Sequence, residues 1–203
     1  MPIAEGTFLE RLASAMRERE AVDETIARLS SRLNEARIPY ALVGATAMAA
    51  HGLYRFTSGV DVLATREGLD QIHAELVGRG YEPASPGARK NLRDAVSGVP
   101  VDFIVASEYP GDGKPKAVVF PDPETVAVDL DGVKVISLPK LIELKLALGL
   151  SLRSRRQDLA DVDTIIERLK PPREMGEEID ASVRDEYYRM WDAAQNAWHP
   201  SNE

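Results

Sequence analysis

Apolar residues return at helical spacing over the first part of the chain and again over its last third. Between residues 8 and 36, apolar side chains recur every three or four positions, as at Leu9, Leu12 and Met16, which is the pattern of one apolar face on an α-helix. This segment predicts one long helix, or two helices joined near residue 22. The last third predicts three more helices. They are expected over residues 141–150, 158–169 and 179–198.

Between these helical segments, short apolar runs alternate with turn residues, as is typical of strands. The predicted strands cover residues 40–43, 59–63, 91–96, 99–105, 117–120, 125–128 and 133–136. The third and fourth of these form a hairpin that turns at Ser97-Gly98, and short helices are expected over 45–51 and 66–77. A mixed sheet that is braced by helices and followed by a helical tail is an α/β fold.

The order of these elements predicts three regions along the chain. The first is an N-terminal helical brace over residues 1–37, and the second is an α/β core over residues 38–137. The third is a C-terminal helical region over residues 138–203. We expect the brace to pack against the sheet of the core.

The charge of the chain limits the partners that it can bind. The 203 residues carry a net charge of −8, and the isoelectric point is about 5.0. Proteins that hold long nucleic acids by their overall field are usually basic, so the acidity argues against bulk nucleic-acid binding. A small nucleotide carried with Mg²⁺ remains compatible with it. So does a local basic patch, and the densest one is Arg153, Arg155 and Arg156.

Cysteine is absent from the sequence, which excludes disulfides, thiolate zinc sites and thiol nucleophiles and suits a reducing cytoplasm. The longest apolar run, over 138–152, is interrupted by Lys140, Glu143 and Lys145. It also falls short of the roughly 20 apolar residues that span a bilayer. The first residues lack the basic start and apolar run of a signal peptide. We therefore expect a cytoplasmic protein with no membrane partner.

Two aspartates and a glycine turn carry the candidate chemistry. A predicted strand ends at Gly44, Asp61 lies on the next predicted strand, and Asp102 lies on a later one. Residues two apart on a strand face the same side, so positions 59 and 61 are directed at one site. Mg²⁺ prefers oxygen ligands, usually a few carboxylates together with substrate phosphates. The backbone N–H groups after Gly44 suit phosphate oxygens, and Thr46 adds a hydroxyl.

The run ALVGATAMAAHGLYRFTSGVDVLA over residues 41–64 resembles the signature of DNA polymerase-β-like nucleotidyltransferases. It is most similar to the small bacterial members, which include the minimal nucleotidyltransferases of toxin–antitoxin pairs and the type IV abortive-infection toxins. The later runs LPKLIELKLAL and RRQDLADVDTII resemble the Lys-bearing helix and the Arg/Asp-rich helix of that group. The resemblance covers roughly residues 38–170. It implies a nucleotidyltransferase-like mixed β-sheet braced by helices.

The resemblance also implies an activity and a set of site residues. The reaction is transfer of a nucleoside monophosphate from a Mg²⁺-bound NTP to an acceptor hydroxyl, and the acceptor is a tRNA or a partner protein. Asp61 and Asp102 are implied as catalytic residues and as the ligands of Mg²⁺. The implied nucleotide-binding residues are Gly44, Ala45, Thr46, Arg55, Thr57 and Lys145.

The sequence departs from the family at two positions. Gly59 stands where the family has its first metal-binding aspartate, and Ala45 stands where glycine or serine is usual. Losing one of three anions around a divalent ion weakens its binding strongly. We therefore expect a weakened Mg²⁺ site and impaired or lost transfer. One alternative is a non-catalytic protein that binds a nucleotide or a partner in a toxin–antitoxin or phage-defence system. Another is a purely structural interaction protein.

Ordinary structural roles compete with several of these assignments. Asp102 fits a hairpin strand with one polar face, Thr57 fits a turn cap, and Lys145 fits a solvated helix face. His51 is expected to satisfy carbonyls at the end of its own helix. The arginines near 155 fit a solvated helix start as well as a phosphate or RNA contact. The aromatic residues of the last helix are expected to pack rather than to stack on bases. They are Tyr187, Tyr188, Trp191 and Trp198.

Overall fold

The N-terminal segment forms one continuous helix, α1, over Phe8–Glu35. In this computed structural model, which describes residues 7–111 and 113–198, α1 begins with a capping box. The Thr7 hydroxyl accepts a hydrogen bond from the Glu10 amide, and the Glu10 carboxylate accepts one from the Thr7 amide, which satisfies two otherwise unpaired donors. The second half of α1 buries Leu29 and Leu33 in the core. Of the two predicted arrangements, the single helix is the one observed.

Seven strands of the described residues form one mixed sheet. They are β1 Tyr40–Leu42, β2 Val60–Ala64, β3 Tyr81–Pro83, β4 Asn91–Asp94, β5 Pro100–Val105, β6 Ala127–Leu130 and β7 Val133–Ile136. Their order across the sheet is β3-β4-β5-β2-β1-β7-β6. The pairs β2–β5 and β1–β7 are parallel, and the other neighbours are antiparallel. The predicted α/β class with a mixed sheet is confirmed.

Six further α-helices connect and follow the strands in the described part of the chain. They are α2 Gly44–Ala50, α3 Arg66–Leu76, α4 Pro123–Val126, α5 Leu138–Ser151, α6 Arg156–Leu169 and α7 Ala181–Trp198. Short 3₁₀ turns lie at Arg153–Arg155 and Arg173–Glu178. None of the helices described is long and apolar enough to cross a membrane.

Alternation along the central strands separates a core face from a site face. Val101, Phe103 and Val105 of β5 are buried, and side chains two apart on a strand face the same side. Asp102 therefore lies on the opposite face. The same buried core contains residues of all three predicted regions, for example Leu29 and Ile165. The division into three regions follows the change of element type and stays a prediction.

The predicted strands differ from the structure at three places. Residues 117–120 are irregular and join the loop after β5 through two backbone hydrogen bonds between Phe120 and residues 107 and 108. The segment 125–128 is divided between α4 and β6, because Asp122 caps a helical turn that begins with a proline. Strand β3 was not predicted. It has three residues and ends in Pro83, which leaves too short a pattern to recognise.

Candidate nucleotide site

Asp61 and Asp102 lie side by side on neighbouring parallel strands. They are register partners on β2 and β5, where strands are about 4.8 Å apart and paired side chains share a face. Asn91 lies opposite Asp102 on β4, and its Nδ2 donates a hydrogen bond to Asp102 Oδ1 at 2.6 Å. The three side chains form a polar row across β4, β5 and β2. The structure thus brings together the two predicted metal ligands and adds Asn91, which the sequence pattern did not single out.

The Gly44 turn is fitted against the carboxylate of Asp61. The backbone amide of Val43 donates to the Asp61 carbonyl at 3.0 Å, which joins the end of β1 to β2. Gly44 then has φ +62°, a conformation that glycine adopts at little cost. A Cβ at this position would overlap Asp61 Oδ2. Both the backbone conformation and the space beside Asp61 therefore require glycine at position 44.

Ala45 and Thr46 lie buried in the first turn of α2. The Thr46 hydroxyl donates to the Val43 carbonyl at 2.8 Å, so it reinforces the turn that holds Gly44. Thr46 also lines a cavity of about 240 Å³ together with Arg55 and Thr57. A contact between these residues and phosphate stays a prediction.

Gly59 is closely packed against Pro100. It directly precedes β2, and a Cβ at position 59 would lie 3.0 Å from Pro100 Cγ and 3.1 Å from the Pro100 carbonyl oxygen. A larger residue fits there only if Pro100 shifts. Thr57 closes the preceding turn, since its hydroxyl donates to the Gly59 carbonyl at 3.0 Å and lies 3.4 Å from the Gly59 amide. The structure therefore shows Thr57 in its turn-capping role.

Lys145 is buried, so the competing interpretation that placed it on a solvated helix face is wrong. Its side chain is 4% exposed, and its Nζ lies 2.5 Å from Asp161 Oδ2 and 3.3 Å from Asp158 Oδ1. The two aspartates are three residues apart on α6, so they lie on one side of that helix. They are also buried. An ammonium that pairs with two carboxylates can be buried without leaving an uncompensated charge.

Two arginines extend this ion-pair cluster. Arg155 Nε lies 2.7 Å from Asp158 Oδ2, and Arg55 Nε lies 3.5 Å from Asp161 Oδ1. Asp158 and Asp161 were not predicted as site residues. Their signal in the sequence is a pair of acids at helical spacing among the apolar residues of α6, which becomes meaningful only once Lys145 is known to face them.

The charges of this cluster act on Asp61. Burial raises the pKa of the Asp61 carboxyl, and the neighbouring Asp102 carboxylate raises it further. The charges of Arg155, Lys145 and Arg55 lower this pKa in part.

The remaining candidates have structural partners. His51 was expected to satisfy carbonyls at the end of its own helix. Its Nε2 instead lies 2.8 Å from the Ile136 carbonyl of β7, so the side chain contacts a strand. Tyr187 donates to the Pro172 carbonyl, and Trp191 donates to the Pro171 carbonyl, which confirms that these aromatic residues pack. The side chain of Trp198 lies outside the described residues.

The residues present fit one Mg²⁺ ion and do not fit a paired-metal site. Among the residues described, no three His, Cys, Asp or Glu side chains are grouped as metal ligands. A magnesium ion in a nucleotide site is commonly held by one or two carboxylates, with substrate phosphates and water completing the shell. Asp61 and Asp102 supply two such carboxylates. Gly59 stands where the resembling family has a further carboxylate, but it has no side chain and is closely packed against Pro100.

Neither a protein-family model nor a curated protein matches the sequence. Solved structures with similar folds include a candidate nucleotidyltransferase from Thermotoga maritima, with a TM-score of 0.47, 18% identity, and coverage of 68% of this chain and 92% of that chain. A candidate nucleotidyltransferase from Helicobacter pylori has a TM-score of 0.48 and 14% identity, and the match covers 94% of this chain and 98% of that chain. The antibiotic-resistance factor ANT(2'')-Ia has a TM-score of 0.46 and 12% identity, covering 86% and 94%.

Proposed function

We propose that this chain is a nucleotide-binding protein with a nucleotidyltransferase fold, whose ancestral reaction is the transfer of a nucleoside monophosphate from an NTP to an acceptor hydroxyl. The observation that carries the proposal is the pairing of Asp61 with Asp102 on adjacent parallel strands, with the Gly44 turn against the Asp61 carboxylate. Two carboxylates beside a glycine turn can hold a metal-bound triphosphate. The order of these residues in the sequence supports the same function.

The residues around the two carboxylates orient them. Asn91 holds one oxygen of Asp102, and Gly44 leaves room for one oxygen of Asp61. Such contacts around metal ligands commonly set the direction of the ligand and the affinity of the site. A Mg²⁺ ion bound by Asp61 and Asp102 would neutralise part of the triphosphate charge.

Gly59 and its contact with Pro100 favour a second candidate, a protein that binds nucleotide without transferring it. The family's first aspartate is absent, and the space that its side chain would need is restricted by Pro100. We therefore propose that transfer is impaired or lost. The toxin–antitoxin or phage-defence role that the resemblance implies belongs to this candidate, and so does binding of a partner protein.

Titration calorimetry of the purified chain with each NTP, with and without Mg²⁺, tests the proposed binding. We expect weak binding that Mg²⁺ strengthens and that Asp61→Asn or Asp102→Asn abolishes. Asp185→Asn is the matched control, because Asp185 is exposed on α7 and its change alters the charge equally. A nucleotide affinity that changes neither with Mg²⁺ nor with Asp61→Asn would disprove the proposal.

A second assay decides between transfer and binding alone. Each α-labelled NTP is incubated with the chain and either total tRNA or cell protein, and incorporation of label is measured. Label in tRNA or in a protein would identify the acceptor class and establish transfer. Nucleotide binding without incorporation in either mixture supports the non-catalytic candidate.

A further inference from the structure

The first half of α1 carries an apolar stripe that the described residues leave uncovered. Its four members lie on one side of the helix, because they follow each other at spacings of one, three and four residues. They are Phe8, Leu9, Leu12 and Met16, and each is between 47% and 71% exposed. No side chain between residues 8 and 20 is buried. The stripe is rotated by roughly a quarter-turn from the side of α1 that enters the core, so the core does not cover it.

The apolar surface continues onto the loop before β2. Tyr54 and Phe56 are 72% and 61% exposed, and they line the cavity of about 240 Å³ together with Ala15 and Arg19 of α1. The Arg19 guanidinium lies 4.5 Å from the centroid of the Tyr54 ring, a cation–π contact that joins the loop to the helix. Of the ten large apolar side chains that are exposed in the described part of the chain, six belong to the stripe or to this loop. Such a concentration marks a surface that binds another molecule.

The spacing of the stripe fits an α-helix as its partner. Leu9, Leu12 and Met16 follow the heptad spacing of residues at a seam between two helices. The residues beside this seam include Ala13 and Ala15, whose small side chains let a second helix approach closely.

The charges around the stripe indicate that this helix belongs to a second copy of the chain. Residues 8–20 carry three acidic and three basic side chains, while the whole chain carries a net charge of −8. Two copies repel each other through their overall charge, so a locally neutral surface is where they approach at least cost. A nucleic acid or an anionic membrane would need an excess of positive charge, which this segment lacks. A basic protein would find no excess of negative charge here.

Arg19 selects the orientation of the two helices. It occupies the seam position that follows Met16, so two parallel helices would bring the two Arg19 side chains together. An antiparallel pair with its two-fold axis near residue 14 avoids this repulsion. Leu12 then packs against the partner subunit's Met16, and two-fold symmetry repeats this contact on the other side of the axis. Arg19 lies beside the partner subunit's Leu9.

We propose that this chain forms an antiparallel homodimer through the apolar stripe of α1, with Tyr54 and Phe56 covering the ends of the contact. The six side chains expose on the order of 600 Å² per chain, whereas a standard stable interface buries about 800 Å² per partner. We therefore expect a weak dimer, with a dissociation constant on the order of 10 µM. The contact involves neither Asp61 nor Asp102, so the proposal does not depend on the proposed nucleotide function.

The first test is sedimentation velocity of the full chain from about 1 to about 200 µM, which brackets the expected dissociation constant. We expect the average mass to rise from that of a monomer toward that of a dimer. Leu12→Glu/Met16→Glu should associate at least about tenfold more weakly, because it buries two unpaired charges. The matched control is Val96→Glu/Leu150→Glu, which adds the same charge at two apolar side chains that are exposed elsewhere. The control should dimerise like the unmodified chain.

Circular dichroism and thermal unfolding verify that each of these variants folds, which we expect because all four substituted side chains are exposed. A monomer at every concentration overturns the proposal. An equal loss of the dimer in Leu12→Glu/Met16→Glu and in the control also overturns it.

Single cysteines test the antiparallel register. The chain has no cysteine, so Leu12→Cys and Met16→Cys each introduce one thiol. In the antiparallel pair, a mixture of the two variants should form a mixed disulfide dimer faster than either variant forms a dimer alone, and intact mass distinguishes these products. Rapid cross-linking of each variant with itself and none in the mixture would indicate parallel helices and overturn the proposed dimer.

Discussion

The Asp61 carboxylate occupies the space that a side chain at position 44 would need, so Gly44 and Asp61 fit together closely. A methyl group at position 44 would overlap Asp61 Oδ2, and the backbone there has a positive φ. The turn and the proposed metal ligand therefore depend on each other. This dependence leads to the first prediction.

Gly44→Ala should both destabilise the fold and remove metal-dependent nucleotide binding. The positive φ costs an alanine about 1–2 kcal/mol, and the methyl group must displace the Asp61 carboxylate. Chemical denaturation and calorimetry with Mg²⁺-ATP measure the two effects. Gly52→Ala is the control, since Gly52 also has a positive φ but nothing lies within 4 Å of its added Cβ. Unchanged nucleotide binding in Gly44→Ala would show that Asp61 does not need this contact.

Asp61→Asn should stabilise the metal-free protein at neutral pH. Burial and the Asp102 carboxylate raise the pKa of Asp61 in the folded state. The charged form therefore destabilises the fold once the pH exceeds this raised pKa. Asparagine carries no charge, so the variant should be more stable than the unmodified chain at neutral pH. This difference in stability should vanish below the ordinary pKa of aspartate. Thermal unfolding in EDTA, from acidic to neutral pH, measures whether Asp61→Asn raises or lowers stability, with Asp185→Asn as the control. A loss of stability at neutral pH would contradict the prediction.

Asp94→Ala should destabilise the protein by about 3 kcal/mol. Asp94 is buried, and its carboxylate accepts hydrogen bonds from Thr25, Arg28 and the amides of Val96 and Ser97, which join α1 to the turn after β4. Burial by itself would raise the pKa of Asp94, but these hydrogen bonds lower it by more. The contribution to stability is therefore present above the ordinary pKa of aspartate and is lost as the pH falls through the lowered value.

Urea denaturation at neutral and acidic pH measures the effect of Asp94→Ala. The comparison is Asp70→Ala, which removes an exposed ion pair with Arg89 and should cost less than about 1 kcal/mol. Equal effects of the two changes would show that the buried contacts of Asp94 contribute little.

Gly59→Asp should add a carboxylate beside Asp61 at a smaller cost in stability when Pro100 is also changed. An added Cβ would lie 3.0 Å from Pro100 Cγ and 3.1 Å from the Pro100 carbonyl oxygen, so aspartate alone requires Pro100 to shift, at about 1–3 kcal/mol. Pro100→Ala relieves the first of these contacts. Gly59→Asp/Pro100→Ala should fold with a smaller loss and bind Mg²⁺ more tightly than the unmodified chain. Calorimetry with Mg²⁺ and electron paramagnetic resonance with Mn²⁺ report metal binding independently of activity.

Pro100→Ala alone is the control for this pair of changes. It removes the contact with Pro100 Cγ without adding a ligand, so it should leave metal affinity unchanged. Equal metal affinity in the single Gly59→Asp variant and the double variant would show that Pro100 does not restrict position 59.

Much of the fold follows from local patterns in the sequence. The apolar periodicity of α1, α3, α6 and α7 predicts those helices, because each helix buries one apolar face and exposes the other. The alternation in β5 likewise separates Asp102 from the buried residues on either side of it. The weakest predictions were the short segments near residue 120, where prolines and turn caps decide the conformation and no period is long enough to recognise.

The sequence by itself determined the α/β class, because hydrophobic period is a local property. Its resemblance to the nucleotidyltransferases singled out Asp61 and Asp102 as candidates, and the strand register places them side by side. Only the tertiary structure decided the partners of Lys145, Gly59 and His51. Lys145 is paired with carboxylates 13 and 16 residues away, and Gly59 lies against Pro100. Such contacts depend on how strands and helices are arranged in space. A side chain that looks solvated from its own helix is therefore buried once a second helix brings opposite charges to it.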